Sequence, residues 1–190
     1  VAVLDQLVLL LAGYSQCRGI GLDLLVNKGR GGKKLLLHPS PAQLEIGIAK
    51  MVRALRLMNA QRKIPITLRE MEHLKQRAGS TFFCHAAAGN SLAVTPAGQL
   101  YPCGQTMGDG TFALGTITQP KTSSTLPLTS IKLKSVQCKA CLLKNRCPGD
   151  CPSRIHYTPG QEPPLSCVLY RTLATCSEES NGITPCSPPL

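Results

Sequence analysis

Apolar and polar positions in the first 80 residues follow the periods of helices and strands in turn. Residues 1–11 are apolar enough for a helix, and residues 19–26 form a mostly apolar run that is typical of a buried strand. Apolar side chains then recur at helical spacing over residues 44–58, and residues 64–68 have the composition of a short strand. This alternation predicts an α/β fold built from βα units.

Two capping patterns predict where helices begin in this part of the chain. Ser40 is followed by a proline and, three residues on, by Gln43, so a capping box is expected at a helix start there. Thr67 with Glu70 can cap a second helix, which we expect to end near residue 79.

The composition changes after residue 82, where Gly, Pro and Cys become frequent. The 190 residues are 43% hydrophobic and 16% charged, with no Trp, three Phe and four Tyr, so aliphatic side chains must form most of the core. We therefore expect residues 1–82 to pack as one unit and residues 83–175 to be organised by metal ligation. Residues 176–190, rich in Ser, Pro and Glu, are predicted to be a flexible tail.

The net charge of +11 is unevenly distributed. Residues 28–77 hold twelve of the 21 Lys and Arg residues and three of the ten Asp and Glu residues. Such charge can bind an acidic peptide or nucleic acid, or can form a solvated helix face. Because no aromatic residues are interleaved with it, we do not expect a nucleic-acid partner. The apolar residues 1–12 are too short for a membrane span and lack a basic leader, so we expect no membrane anchor.

Seven cysteines and one glycine form an ordered pattern in the second half of the chain. The pattern reads C-x13-G-x4-C, then C-x2-C-x5-C-x3-C, then one more cysteine, with Gly98 as the glycine. The cysteines are Cys84, Cys103, Cys138, Cys141, Cys147, Cys151 and Cys167. Four thiols within fourteen residues are too dense for core packing, and clustered thiolates bind zinc or iron–sulfur centres.

Ten cysteines in 190 residues are too few for a disulfide scaffold, so we expect a reducing cytoplasm in which thiols bind metal. A zinc site stays open as an alternative, although the x5 and x3 gaps suit zinc knuckles poorly. Disulfides would require an oxidising compartment.

The cysteine pattern resembles the SPASM domain, the auxiliary-cluster module at the C-terminal end of many radical S-adenosylmethionine enzymes. The residues around the cysteines are similar too: residues 96–103, PAGQLYPC, look like the hairpin of that domain, and residues 147–152, CPGDCP, look like its second ligand loop. The resemblance implies that residues 1–82 are the end of a partial (β/α) barrel. It implies that residues 83–175 are a small, loop-rich SPASM domain with two [4Fe–4S] clusters.

The resemblance also divides the cysteines into two ligand sets. It assigns Cys84, Cys103 and Cys151 to the first auxiliary cluster. It assigns Cys138, Cys141, Cys147 and Cys167 to the second, which then has four thiolates. The first set lacks a fourth thiolate, and substrate, water, His85 or Cys176 are the candidates for that place, although a surface position is the simpler interpretation of His85.

Other residues near the pattern have simpler expected roles. Basic residues around the ligand loop can offset the negative charge of a cluster. They are Lys139, Lys144, Arg146 and Arg154. Cys17 is expected to be a small buried hydrophobe, and Cys186 has no assigned role.

The enzymes of this family bind their catalytic cluster through C-x3-C-x2-C, and the chain contains no such triplet. We therefore expect no catalytic residues in it and no S-adenosylmethionine except through a missing N-terminal region, as in a fragment, a split gene or a remnant. The resemblance implies electron transfer or substrate binding within a peptide- or protein-modifying oxidoreductase. The implied partners are the peptide or protein substrate, the missing barrel portion and an electron donor such as a ferredoxin or flavodoxin.

Alternatives remain within and outside the family. Sulfatase-maturating members carry an acidic base directly after the cysteine of G-x4-C, where this chain has Gly104, so maturation of a ribosomal peptide is favoured. Asp109 is another candidate base, although an exposed loop position is the simpler interpretation. A stand-alone iron–sulfur electron carrier or a truncated gene product is the alternative from another class.

Overall fold

A computed structural model describes residues 1–29, 37–76, 82–121, 128–132, 138, 140–143, 146–147, 149–160 and 163–178. The helices are α1 (Leu4–Ala12), α2 (Pro41–Asn59), α3 (Arg69–Gln76), α4 (Pro152–Tyr157) and α5 (Leu165–Glu178). The strands are β1 (Gly19–Ile20), β2 (Thr67–Leu68), β3 (Ala93–Val94) and β4 (Leu100–Tyr101), and short 3₁₀ helices cover Gly104–Thr106 and Gly110–Phe112. Across these ranges the fold mixes helices with two small sheets, and no barrel is closed. None of the helices in the same ranges is long and apolar enough to cross a membrane.

The first half contains a β–α–β unit. Strands β1 and β2 pair in parallel, with Gly19 opposite Thr67, and α2 lies between them in the chain. The predicted strand over residues 19–26 is too long, because side chains replace the ladder after Ile20. The Leu22 N–H donates to Glu70 Oε2 at 3.0 Å, and Arg69 Nη2 donates to the Leu22 carbonyl at 3.1 Å.

One of the two predicted helix starts is confirmed. Gln43 N donates to Ser40 Oγ at 3.2 Å and Ser40 N donates to Gln43 Oε1 at 3.0 Å, which is the expected capping box of α2. The second predicted helix is present, but α3 begins at Arg69, two residues after Thr67, so Thr67 is not its N-cap residue. Its predicted end near residue 79 lies outside the described residues. The Thr67 hydroxyl instead donates to the Arg18 carbonyl at 3.2 Å.

The main hydrophobic core joins both halves of the chain. Helices α1, α2 and α5 contribute Val8, Ile48 and Leu173, each at most 1% exposed. Helix α5 thus packs in the core of the N-terminal unit, although it follows the cysteine-rich region. It also runs past the predicted start of the tail, because Cys176 is fully buried in this core. The rest of the predicted tail lies outside the described residues.

The predicted hairpin of the cysteine-rich region is present. Strands β3 and β4 pair antiparallel, with Ala93 opposite Tyr101. Gly98 has φ +75° in the turn, a conformation that favours glycine, and its N–H donates to the Thr95 carbonyl at 2.8 Å. Tyr101 then anchors a second buried cluster with Phe112 and Leu128.

Candidate metal centre

The four cysteines assigned to the second auxiliary cluster line one cavity of about 230 Å³. They are Cys138, Cys141, Cys147 and Cys167. The first three lie within ten positions of one another in the sequence, whereas Cys167 is 8% exposed in the first turn of α5. Because the leucines of α5 are buried in the main core, packing of that core holds the fourth thiol at the cavity.

A backbone amide already supports one of these sulfurs. Gly149 N donates a hydrogen bond to Cys147 Sγ at 3.3 Å, and Gly149 has φ +81°, which disfavours a side chain. Amides aimed at cysteine sulfur stabilise negative charge and tune the potential of iron–sulfur centres.

The thiols influence one another electrostatically. Burial raises the pKa of Cys147, and the Cys141 and Cys138 thiolates raise it further against the opposing Gly149 hydrogen bond. Burial also raises the pKa of Cys167 to about 11, opposed by Arg171 and increased by Cys147 and Cys138. Cys147 and Cys167 therefore favour the protonated thiol until a cation compensates the thiolate charge, as metal-binding thiols do.

The cavity is larger than a single metal ion requires. Across the described ranges, no three His, Cys, Asp or Glu side chains are already arranged to hold one metal ion. A single water needs only roughly 10–15 Å³ of such volume, so about 230 Å³ is far more than one ion requires. Phe82, Leu128, Ile131 and Leu143 supply apolar walls. The donor set and the cavity thus fit a four-thiolate iron–sulfur cluster.

The three cysteines assigned to the first cluster are less closely assembled. Cys84 and Cys103 both pack against the cluster of Tyr101, Phe112 and Leu128. Cys151 lies beside the 3₁₀ helix that follows Cys103, and its thiol donates to Gln105 Oε1 at 3.4 Å. Cys84 lines a second cavity, of about 220 Å³, but neither this cavity nor the one of about 230 Å³ is lined by all three thiols.

Of the two side chains named as candidate fourth ligands of the first cluster, one has no free thiol. His85 is exposed, in agreement with a surface position. Cys176 is disulfide-bonded and fully buried, which the reducing compartment expected from the sequence does not predict. Cys17 packs at the edge of the main core but is only half-buried, whereas a buried position was expected. Cys186 lies outside the described residues.

A buried ion pair between the two ligand sets was missed by sequence reasoning. Arg154 Nε donates to Asp150 Oδ1 at 2.8 Å, and Arg154 Nη2 also bonds that oxygen. The same Oδ1 accepts the Cys151 N–H at 2.6 Å. Arg154 was expected only to offset cluster charge, but Asp150 neutralises it. The i, i+4 spacing of Asp150 and Arg154 across Cys151 was the available signal.

Arg154 is the predicted basic neighbour whose contacts are defined. Arg146 is exposed, and Lys139 and Lys144 lie outside the described residues. Arg154 also donates through Nη1 to the Leu24 carbonyl at 2.8 Å. The ligand loop is therefore fastened to the N-terminal unit by an arginine.

Asp109 is a poor candidate for a general base. The Tyr157 hydroxyl donates to Asp109 Oδ2 at 2.6 Å, and Thr111 N donates to its Oδ1 at 2.9 Å. These bonds, with that of Tyr157 the larger cause, hold the pKa of Asp109 at about 2. A carboxylate with so low a pKa is a weak proton acceptor at neutral pH.

Comparisons with protein-family models, with curated proteins and with solved structures find no match to this chain. The sequence pattern and the two cavities lined by its cysteines are therefore the indications of function.

Proposed function

We propose that this chain is the auxiliary-cluster portion of a radical S-adenosylmethionine enzyme that modifies a peptide or protein, and that it holds two [4Fe–4S] clusters. The main support for this proposal is that the four thiols assigned to the second cluster line one cavity. Cys138 and Cys167 stand 29 positions apart in the sequence, and the fold brings both to that cavity.

The residues of the chain perform three tasks in this proposal. Apolar side chains such as Leu143 and Ile131 limit the access of water to the cluster cavity. Gly149 N–H stabilises negative charge on Cys147, and the Asp150–Arg154 pair fixes the loop between the two ligand sets. When bound, the clusters supply one-electron transfer or, where an iron is open, a place for substrate.

The sequence pattern supports the choice of peptide or protein as substrate, through its resemblance to SPASM enzymes. Gly104 in place of an acidic residue and the low pKa of Asp109 both favour a ribosomal-peptide maturase over a sulfatase-maturating enzyme. The barrel portion that binds S-adenosylmethionine would come from polypeptide beyond this sequence.

Metal analysis after anaerobic reconstitution tests the cluster assignment. The protein should hold about eight irons, and Cys138→Ser and Cys167→Ser should each reduce this to about four. Cys17→Ser is the matched control, since Cys17 is a free thiol at the core edge, and it should retain about eight. Colourless, zinc-loaded protein, or full iron loading of both site variants, would contradict the assignment.

A second measurement tests the assignment to the enzyme family. The chain alone should not cleave S-adenosylmethionine, and co-expression with a neighbouring polypeptide that carries C-x3-C-x2-C should restore cleavage. Cleavage by the chain alone would refute the proposal that another polypeptide binds and cleaves S-adenosylmethionine. Full iron loading with no such neighbour would favour the stand-alone electron carrier instead.

A further inference from the structure

The second cavity, of about 220 Å³, lies at the carboxyl ends of β1 and β2. Leu22 and Leu24 line it from the segment after β1, and Arg69 and Glu70 line it from the residues after β2. In α/β proteins, ligands bind outside the carboxyl ends of parallel strands. Cys84 lines the same cavity, so a ligand there would lie beside the first set of cysteines.

One buried polar group at this cavity lacks a hydrogen-bond partner among the residues that the structure describes. It is the Ser166 hydroxyl, and Ser166 is only 1% exposed. Buried polar groups in folded proteins are rarely left unpaired, and a hydroxyl both donates and accepts. The Ser166 hydroxyl therefore indicates a ligand that offers both a donor and an acceptor.

The acidic and arginine side chains around the cavity are paired or exposed. Glu70, 2% exposed, accepts from Arg69 Nε at 2.9 Å and from the Leu22 N–H. Arg154 is paired with Asp150. Asp23 also lines the cavity, but it is exposed, so water screens its charge, and His73 is the remaining titratable side chain of the lining besides Cys84 and Tyr170. Among the acidic and arginine groups an ionic ligand would find no free buried counter-charge, which disfavours it against a neutral polar group.

The size of the cavity limits the ligand further. Sites for drug-sized ligands occupy roughly 300–1,000 Å³, so about 220 Å³ suits one side chain rather than a nucleotide-sized cofactor. We propose that this cavity binds the carboxamide of an Asn or Gln side chain of the peptide substrate and holds it beside Cys84. A carboxamide supplies both donors and an acceptor for Ser166 Oγ. That the carboxamide belongs to a peptide rests on the proposed function.

Three isosteric probes test the charge preference on the iron-loaded protein. Acetamide, acetate and acetamidinium share one planar shape and differ in charge. Ligand-detected NMR titrations should extend to about 0.2 M, since four heavy atoms bind weakly. Acetamide should bind saturably, and acetate and acetamidinium at least about tenfold more weakly. Equal or tighter binding of either ion, or no saturable binding of acetamide, would overturn the proposal.

Two serine variants test the location. Ser166→Ala should weaken acetamide binding roughly fivefold, as expected for one lost hydrogen bond. Ser153→Ala is the matched control. Ser153 Oγ is also buried and has no partner among the described residues, but Ser153 lines neither this cavity nor the one of about 230 Å³. It should leave binding unchanged, and equal effects of the two variants would contradict the proposed place. Iron-loaded protein that binds no acetamide refutes this inference alone, whereas iron-free protein that binds acetamide refutes the proposed function alone.

Discussion

Removing the guanidinium of Arg154 should destabilise the fold strongly, because Arg154 forms a buried ion pair with Asp150. Arg154→Met keeps most of the side-chain length but deletes the charge that faces Asp150, and these two residues are 8% and 7% exposed. The change also removes the 2.8 Å hydrogen bond to the Leu24 carbonyl. Breaking one side of a buried ion pair costs about 3–5 kcal/mol, because a carboxylate is left buried and uncompensated. Against a total unfolding free energy of about 5–15 kcal/mol, that loss is large.

Anaerobic equilibrium unfolding of the metal-free protein in guanidinium chloride, without a reductant that would break the Cys176 disulfide, measures this cost. Asp150→Asn combined with Arg154→Met removes the stranded charge, so the double variant should be more stable than Arg154→Met by about 2 kcal/mol. Arg154→Lys keeps the charge but loses the guanidinium group that bonds both Asp150 and the Leu24 carbonyl. Its free energy of unfolding should lie between those of the wild type and Arg154→Met. A loss below about 1 kcal/mol for Arg154→Met, or no recovery in the double variant, would refute the reasoning.

Three further predictions concern other parts of the chain. Because the pKa of Asp109 is lowered from 3.8 to about 2, Asp109 stabilises the fold above pH about 4 and loses that effect as pH falls toward 2. Tyr157→Phe should make the melting temperature less dependent on pH in that window, and an unchanged profile would contradict this. Gly115→Ala should lose more than about 1 kcal/mol of unfolding free energy, since φ is +86° and the new Cβ would lie 2.3 Å from a carbonyl oxygen. Gly104→Ala, whose Cβ meets nothing within 4 Å, should change stability by less than about 0.5 kcal/mol in the same unfolding experiment. Ser40→Ala removes the capping box of α2 and should cost about 1 kcal/mol by denaturant unfolding, and a neutral result would show that packing alone sets that helix start.

Local sequence rules located the elements of the N-terminal unit but not all of their limits. The capping box at Ser40 was readable because both of its partners lie within four residues. The end of β1 was not readable, because Glu70 replaces a strand partner for Leu22 from 48 positions away. Strand length depends on such distant side chains, and periodicity does not report them.

Some features of the candidate site were also predictable from local spacing, whereas others depend on residues far apart in the sequence. Spacing pointed to the thiols, and the structure brings the four members of the second set to one cavity. The i, i+4 spacing of Asp150 and Arg154 made their pairing readable, but spacing gave no hint that Ser166 would be buried in the cavity that Cys84 also lines. The place of Ser166 depends on where α5 and the segment after β1 lie in the folded chain, which no local pattern encodes.

Helix α5 has a practical consequence for anyone who wishes to produce the cysteine-rich region by itself. Its leucines Leu169 and Leu173 are buried among side chains of α1 and α2, while Cys167 of the same helix lines the cluster cavity. A gene cut at residue 83 would expose these leucines to water. It would also remove the packing that holds Cys167 at the cavity. The isolated half should then precipitate or fail to take up its full metal load, so both halves are best expressed together.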